Sequence, residues 1–175
     1  MGSPHHLVER DGVLGWLNAR LQAAAAGSGR VAVVSGEAGI GKSAVVAAFV
    51  AALPASVHVF GSACDPLSTP VPLGPVLELR DALSPSGAAH VTTALDNPHG
   101  PTAVPAAVVA ALADSGPAVW LIEDVHWADA ATLDVLRYLI SRIAAIPLLL
   151  VLTHRVEGVG REHQLRLPAE QLLGQ

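Results

Sequence analysis

The sequence is poor in several residue types, and each scarcity excludes a class of protein. Its 175 residues include one cysteine, Cys64, so no disulfide can form within the chain and a disulfide-stabilised secreted scaffold is excluded. We expect this thiol to be a small buried hydrophobe in a protein of the reducing cytoplasm. Aromatic residues make up 3% of the chain and charged residues 14%, so the core must come from aliphatic side chains.

The charge balance and the short apolar runs exclude further classes. The formal net charge of −5 argues against direct nucleic-acid binding by this segment through bulk electrostatics. The most apolar run, residues 143–152, is too short to span a membrane and contains Pro147. The N-terminus has no basic region followed by an apolar stretch, so we expect no signal peptide. These features predict a cytoplasmic protein without a membrane partner.

Lysine is the scarcest basic residue, and its position is informative. Nine of the ten basic residues are arginine, and the one lysine, Lys42, lies in residues 36–43 (GEAGIGKS). This segment fits the pattern G-x-x-x-x-G-K-[ST] of phosphate-binding loops. A lysine is a compact charge on a flexible stem, whereas an arginine is a planar fork that fits less easily beside wrapped phosphates. The segment therefore predicts a bound nucleotide.

The residues around this loop predict the strand and helix that a phosphate-binding loop requires. Residues 31–35 (VAVVS) are typical of a strand buried on both faces, and residues 42–52 favour a helix. Lys42 would reach the β- and γ-phosphates, and the Ser43 hydroxyl would ligate Mg²⁺. Glycines and the helix start would direct main-chain N–H groups at the phosphates. The further nucleotide-binding residues of this loop would be Glu37, Ala38, Gly39, Ile40, Gly41 and Ala44.

Strands and helices alternate along the chain, which predicts an α/β fold. Strands are predicted at 31–35, 56–63, 118–122, 147–153 and, as a short fifth strand, 164–167. Helices are predicted at 7–26, 42–52, 75–83, 104–113 and 130–143, with 88–95 as a weaker candidate. Near-continuous apolar strands indicate a mostly parallel sheet of about five strands between helical layers, a three-layer αβα sandwich.

The same pattern divides the chain into three parts. Residues 1–27 form an N-terminal segment with a helix, and residues 28–155 form the core. Residues 156–175 are either an edge strand or the start of a lid domain.

Acidic residues follow the third predicted strand, where a parallel sheet places its ligands. Glu123 and Asp124 come directly after residues 118–122. In phosphate-loop enzymes one carboxylate at this point holds the Mg²⁺ shell, and a neighbouring acid can orient the attacking water. We assign the metal role to Glu123 and the water role to Asp124. This order reverses the common aspartate-then-glutamate pair, which predicts slow hydrolysis.

Further candidate residues follow these acids and the fourth strand. They are expected at the same edge of the sheet, which we call the rim. Trp127 is predicted to be a packing anchor, and His126 lies either near the γ-phosphate or in a structural role. Arg155 follows the fourth strand, where it would reach the γ-phosphate and distinguish a triphosphate from a diphosphate. The alternative for Arg155 is an arginine on a surface loop.

Residues 123–129 (EDVHWAD), followed by a long helix, resemble the second acidic motif of STAND/AAA-16-type P-loop NTPases. The resemblance is greatest to the ATPase domain of large ATP-binding LuxR-family transcriptional regulators, and it covers residues 7–155. Residues 7–11 (LVERD) are similar to the N-terminal motif of that family, with Glu9 in place of its usual glycine. Residues 153–155 (THR) are similar to its Thr-x-Arg sensor.

This resemblance implies a P-loop NTPase that binds ATP or ADP with Mg²⁺. It also implies that Val8 and Arg10 contact the adenine end of the nucleotide. Members of the family carry a lid, a repeat-rich sensor region and a DNA-binding helix-turn-helix beyond this domain. The chain has no signal for any of these, so it is expected to be the NTPase core alone and to act with further domains or regulatory partners.

Three functions stay open at this point. The first is a nucleotide-dependent switch that binds ATP and hydrolyses it slowly, within a signalling or transcription regulator. The second is a degenerate nucleotide-binding scaffold without turnover. The third is a small-molecule kinase, which would need a second substrate pocket and an arginine-rich lid, whereas residues 64–101 contain one arginine, Arg80.

Overall fold

The computed structural model describes residues 5–66, 71–97 and 102–155, and for residues 5–10 it describes the backbone alone. The α-helices are α1 (His5–Ala25), α2 (Lys42–Ala51), α3 (Gly74–Ala82), α4 (Pro85–Asp96), α5 (Ala103–Asp114) and α6 (Ala130–Ile140). The strands are β1 (Arg30–Gly36), β2 (His58–Ala63), β3 (Ala118–Glu123) and β4 (Leu148–Arg155). Short 3-10 turns cover Val125–Trp127 and Ile143–Ala145.

All four described strands run parallel in the order β1-β4-β3-β2. The register pairs Val33 of β1 with Leu152 of β4, and Leu152 with Ile122 of β3. Parallel neighbours bring their carboxyl ends to one edge of the sheet, so the residues that follow β1, β4 and β3 lie side by side there. The predicted fifth strand at 164–167 and the segment 156–175 lie outside the described residues.

Helices cover both faces of the sheet, which confirms the predicted α/β sandwich. Along β3, Trp120 and Ile122 face the core beneath α3, α4, α5 and α6, while Val119 faces the core beneath α1 and α2. This alternation follows from the two-residue period of a strand. Each fully buried aliphatic or aromatic side chain contributes about 1.5–3 kcal/mol relative to exposure, so the buried clusters on both faces stabilise the sheet.

Local chemistry explains where the helices depart from the sequence prediction. Helix α4 spans twelve residues where only a weak helix was expected. The Ser84 hydroxyl accepts a hydrogen bond from the Gly87 N–H at 3.3 Å, and Pro85 occupies the first helical position. A serine cap followed by proline is a strong helix start, and it begins α4 ahead of the predicted residues 88–95. Helix α6 ends at Ile140, earlier than the predicted residue 143.

The tryptophans also correct one expectation. Trp127 was expected to anchor the packing but is 40% exposed, so that prediction is wrong. Trp120 is the fully buried tryptophan, and its Nε1 donates to the Ser62 hydroxyl at 3.0 Å. Cys64 is buried, as predicted. No helix in the described part of the chain is long and apolar enough to cross a membrane.

Candidate functional site

Three strand ends form the candidate site. The loop after β1 leads into α2, Asp124 follows β3, and Thr153 and Arg155 lie at the end of β4. Because β4 lies between β1 and β3, these segments are neighbours on one rim of the sheet. A cavity of about 230 Å³ opens there, lined by Ala38, Gly39, Gly41, Lys42, Ser43, Ala44, Asp124, Thr153 and Arg155.

The loop has the backbone of an anion-binding turn. Gly39 and Gly41 have φ angles of 79° and 97°, in the left-handed region that favours glycine. Gly41 is the N-cap of α2, and no side-chain hydrogen bond caps this helix start. The first N–H groups of a helix lack intrahelical acceptors and carry the positive end of its dipole. The start of α2 therefore suits a negatively charged group in the cavity.

The Lys42 ammonium is held at the mouth of this loop. Its Nζ donates to the carbonyl oxygens of Gly36 at 2.8 Å and Glu37 at 2.9 Å. An ammonium group has three donors, so one remains for another acceptor. The two carbonyl bonds fix the charge beside the cavity without neutralising it.

The loop and the acidic strand end are joined directly. The Ser43 hydroxyl donates to Glu123 Oε2 at 2.9 Å, across 80 residues of sequence. A hydroxyl oxygen and a carboxylate are hard oxygen ligands, and Mg²⁺ is usually held by one or two carboxylates together with phosphate oxygens and water. Among the described side chains no group of three or more His, Cys, Asp or Glu could hold a metal. The Ser43 and Glu123 oxygens fit a Mg²⁺ ion whose other ligands are phosphate oxygens and water.

Asp124 lies in an unusual backbone conformation next to Arg155. Its φ of 52° and ψ of 46° are left-handed, which is uncommon for a residue with a side chain. Its N–H donates to Thr153 Oγ1 at 2.9 Å, and its Oδ1 lies 3.5 Å from Arg155 Nε. The Arg155 side chain is 43% exposed, so this ion pair is worth about 0–1 kcal/mol and exchanges readily for a stronger partner.

Two histidines lie beside these charges. The rings of His126 and His154 meet edge to face with centroids 5.5 Å apart, and His126 Nδ1 lies 3.9 Å from Asp124 Oδ1. Burial lowers the pKa of His154 below its ordinary value, and the charge of Lys42 lowers it further, while Asp124 opposes the shift. This shift favours the neutral imidazole of His154. Lys42 and Arg155 bring positive charge to the rim.

A family match accompanies this geometry. Residues 6–151 match the family described as the AAA ATPase domain (AAA_16). The chain belongs to this family. Membership makes it a nucleotide-binding domain of the P-loop type, in agreement with the loop, the strand-end acids and the parallel sheet. No curated protein matches the chain.

Two solved structures are similar to this AAA ATPase domain. The Walker-type ATPase PABY2304 of Pyrococcus abyssi has a TM-score of 0.53 and 14% identity, over 83% of this chain and 44% of that one. A structure of Drosophila ORC bound to AT-rich DNA and Cdc6 has a TM-score of 0.50 and 11% identity, over 88% of this chain and 51% of that one. At such identities the likeness shows the fold alone. The domain spans about half the length of each of these chains.

The structure brings most of the predicted site residues of the AAA ATPase domain to one cavity. Of the predicted loop residues, Glu37 and Ile40 do not line it, and the Ile40 side chain is 51% exposed. Glu123 does not line it either, but it bonds to Ser43, which does. The backbone of Val8 and Arg10 lies in α1, and their side chains are outside the described part, so their contact with the base stays a prediction.

The cavity is smaller than the roughly 300–1,000 Å³ of most small-molecule sites. It suits a phosphate chain, and the sugar and base of a nucleotide would extend beyond it. Another cavity, of about 30 Å³, is lined by Cys64, Trp127 and Asp129 among others. That volume is comparable with one water molecule, so it is no nucleotide site. Thr153 is the lining residue that received no individual role from the sequence, although a hydroxyl at the end of an apolar strand is a recognisable signal.

Proposed function

We propose that this domain binds ATP with Mg²⁺ and hydrolyses it slowly as a nucleotide-dependent switch within a longer regulatory protein. The observation that carries the proposal is the 2.9 Å hydrogen bond between the Ser43 hydroxyl and the Glu123 carboxylate. It places an oxygen of the phosphate loop beside an oxygen of the acidic strand end, so that both could bind one metal ion. The cavity beside it holds a free ammonium donor, a second carboxylate and a guanidinium, the groups that phosphoryl transfer requires.

Each side chain has a distinct task in this proposal. Lys42 binds the β- and γ-phosphates, and the N–H groups at the start of α2 bind further phosphate oxygens. Ser43 and Glu123 would hold Mg²⁺, which when bound neutralises charge on the phosphates. Asp124 orients the attacking water and accepts its proton at a carboxylate oxygen. Without an added arginine from a partner, turnover in such sites is roughly 10⁻⁴ to 10⁻² per second.

Arg155 connects the nucleotide state to the rest of the domain. Its guanidinium lies 3.5 Å from Asp124, in an ion pair weak enough to exchange for a γ-phosphate. Hydrolysis removes that phosphate and returns Arg155 to Asp124, so the rim has two charge arrangements. A switch of this kind acts on attached domains or partner proteins. The motif at residues 123–129 favours a STAND-type, LuxR-family transcription regulator as the longer protein, in the cytoplasm and with DNA binding carried by another domain.

A binding scaffold without turnover is the second candidate. The same Arg155–Asp124 pair favours it, because a guanidinium 3.5 Å from the carboxylate occupies the oxygen that would otherwise bind the attacking water. A small-molecule kinase is less supported. Arg80, the arginine available in the described part of residues 64–101, is paired with Asp81 at 2.7 Å.

The proposal is tested by paired variants of the loop and of the acid. Lys42→Ala should lower the affinity for a fluorescent ATP analogue by about 100-fold or more, since a charge pair near 4 Å is worth about 4 kcal/mol at an effective dielectric of 20, before desolvation. Asp124→Asn should leave that affinity within about twofold and slow single-turnover hydrolysis by about 100-fold or more.

Matched controls come from one helix outside the cavity. Arg137 and Asp134 form an exposed ion pair on α6, so Arg137→Ala and Asp134→Asn remove the same charges away from the rim. Both variants should keep the wild-type affinity for the ATP analogue and the wild-type rate of hydrolysis. Equal affinity of Lys42→Ala and the wild type contradicts nucleotide binding at this loop. A measurable affinity with no hydrolysis in the wild type establishes the scaffold instead, and a large loss of Mg²⁺-dependent binding in Asp124→Asn transfers the metal role to Asp124.

A further inference from the structure

The small cavity at Cys64 opens on a second surface with a chemistry of its own. Four large hydrophobic side chains are exposed in the described part of the chain, and two of them, Val71 and Trp127, line this one cavity. Val71 is 56% exposed and Trp127 is 40% exposed. They come from different elements, the segment before α3 and the 3-10 turn after β3. Large apolar side chains exposed together indicate an interaction surface, whereas a single one does not.

Carboxylates lie around these apolar side chains, and no described lysine or arginine lines the cavity. Asp65 lines it, is exposed, and forms no hydrogen bond or ion pair with the described residues. Glu78 Oε2 accepts the N–H of Ala63, a lining residue, at 2.9 Å, which leaves Oε1 available. Asp129 also lines the cavity, but both of its oxygens already accept main-chain N–H groups. Asp65 is therefore the lining carboxylate that can pair with an incoming group.

The electrostatic potential at this cavity is negative. Burial comes first among the causes that raise the pKa of the Cys64 thiol to about 12, and four carboxylates follow, those of Asp129, Glu78, Asp124 and Asp65. Carboxylates that disfavour a thiolate at this position favour a cation there. They also disfavour the phosphates of a nucleic acid or of an anionic membrane.

The shape of the surface favours a side chain on a polypeptide over a small ligand. The cavity has a volume of about 30 Å³, which is too little to enclose a small molecule. Among aromatic rings the indole binds cations best, and a planar guanidinium stacks on it where an ammonium cannot. A guanidinium on Trp127 could also donate to Asp65, which lines the same cavity. An apolar side chain beside that arginine would cover Val71.

We infer that this surface docks a partner protein through an arginine that stacks on Trp127 and pairs with Asp65, with a neighbouring apolar residue against Val71. The inference goes beyond the proposed function and does not rest on it, because the described residues that line the two cavities are different. Failure to bind ATP would leave it standing, and the reverse also holds. The Trp127 N–H donates to the Asp124 carbonyl at 2.9 Å, so the partner would lie beside the nucleotide rim.

The first test uses short blocked peptides as probes and follows the wild-type domain by NMR. The probe is acetyl-Leu-Arg-Leu-amide, and its control carries citrulline, which keeps the shape of arginine without its charge. We expect the arginine peptide to shift the indole N–H of Trp127 and the amides of Asp65 and Val71. It should bind about fivefold or more tightly than the citrulline peptide. The indole of Trp120, which is fully buried, should not respond.

Either of two results of this titration overturns the inference. One is equal affinity for the arginine and citrulline peptides. The other is an unchanged Trp127 signal at the highest soluble concentration of the arginine peptide.

The second test removes one charge from the surface. Asp65→Asn should fold like the wild type, because Asp65 is exposed and holds no described bond. We expect it to weaken the arginine peptide by about two- to fivefold and to leave the citrulline peptide unchanged. Asp81→Asn is the matched control, since Asp81 is an exposed acid on α3 that pairs with Arg80 outside the cavity. Wild-type affinity for the arginine peptide in Asp65→Asn, or an equal loss in Asp81→Asn, overturns the inference.

The third test replaces the aromatic face and keeps an apolar side chain. Trp127→Leu should weaken the arginine peptide by about two- to fivefold. Val59→Ala, which changes an exposed hydrophobic residue outside the cavity, should not. The amide spectrum of each variant checks its fold, and if Trp127→Leu is unfolded the Asp65→Asn comparison decides. A folded Trp127→Leu variant with wild-type affinity contradicts the stacking and overturns the inference.

Discussion

Cys64 and His154 show how the surroundings set ionisation near the rim. Burial first, and then nearby carboxylates beginning with that of Asp129, together raise the pKa of the Cys64 thiol to about 12. Burial and the charge of Lys42 lower the pKa of His154. Both shifts favour the neutral form of the side chain. Lys42, Arg155 and the two strand-end acids carry charge at this rim.

The Cys64 thiol should be inert in the folded protein. With a pKa of about 12, roughly one thiol in 10⁴ is ionised at pH 8, and the thiolate is the reactive species. A thiol reagent such as DTNB should react with the native chain far more slowly than with the chain unfolded in guanidinium. Because Cys64 is the single cysteine, the signal has no background from other thiols. Equal rates in the two conditions would contradict this burial.

Among the helices, α6 and α3 begin at one shared carboxylate. Asp129 Oδ1 accepts the N–H groups of Ala131 at 3.0 Å and Thr132 at 3.1 Å, which caps α6. Its Oδ2 accepts the N–H of Leu73 at 3.2 Å, the left-handed N-cap residue of α3. The Asp129 carboxylate thus connects the start of α6 to the start of α3, the helix that packs against β2.

Loss of this cap should destabilise the fold measurably. Asp129→Ala should lower the free energy of unfolding by about 1–2 kcal/mol from the lost cap, and by more where Leu73 keeps an unsatisfied N–H. Urea unfolding measures the change. Asp134→Ala on the same helix removes an exposed pair with Arg137 and should cost less than about 0.5 kcal/mol. Similar losses of unfolding free energy in the two variants would contradict this prediction, because Asp129 would then contribute no more than an exposed surface residue.

Short-range features of the elements were predictable, and contacts between them were not. The strand, loop and helix around Lys42 follow from adjacent residues, and the apolar run before Glu123 marks β3. The hydrogen bond that the Asp124 N–H donates to Thr153 Oγ1 depends on the register of two strands and on a left-handed turn, and the local sequence pattern encodes neither. The link between Leu73 and Asp129 spans 56 residues in the same way.

At the scale of the whole molecule, strand order creates the site. The order β1-β4-β3 places the end of β4 between the phosphate loop and the acids, although β4 is last of the three in sequence. Alternation of strands and helices predicts a parallel sheet, but it does not give that order. The sequence could therefore name most of the rim residues, while their distances, such as 2.9 Å between Ser43 and Glu123, come from the assembled sheet.

The central claim is that this rim binds a nucleoside triphosphate with Mg²⁺. The most direct measurement is NMR mapping of backbone amides as a non-hydrolysable ATP analogue and Mg²⁺ are added. We expect the largest shifts at residues 36–44, 123–124 and 153–155, and removal of Mg²⁺ with EDTA should reduce those near Ser43 and Glu123 most. An absence of shifts at saturating analogue, or shifts confined to another surface such as the small cavity at Cys64 and Trp127, would contradict the account.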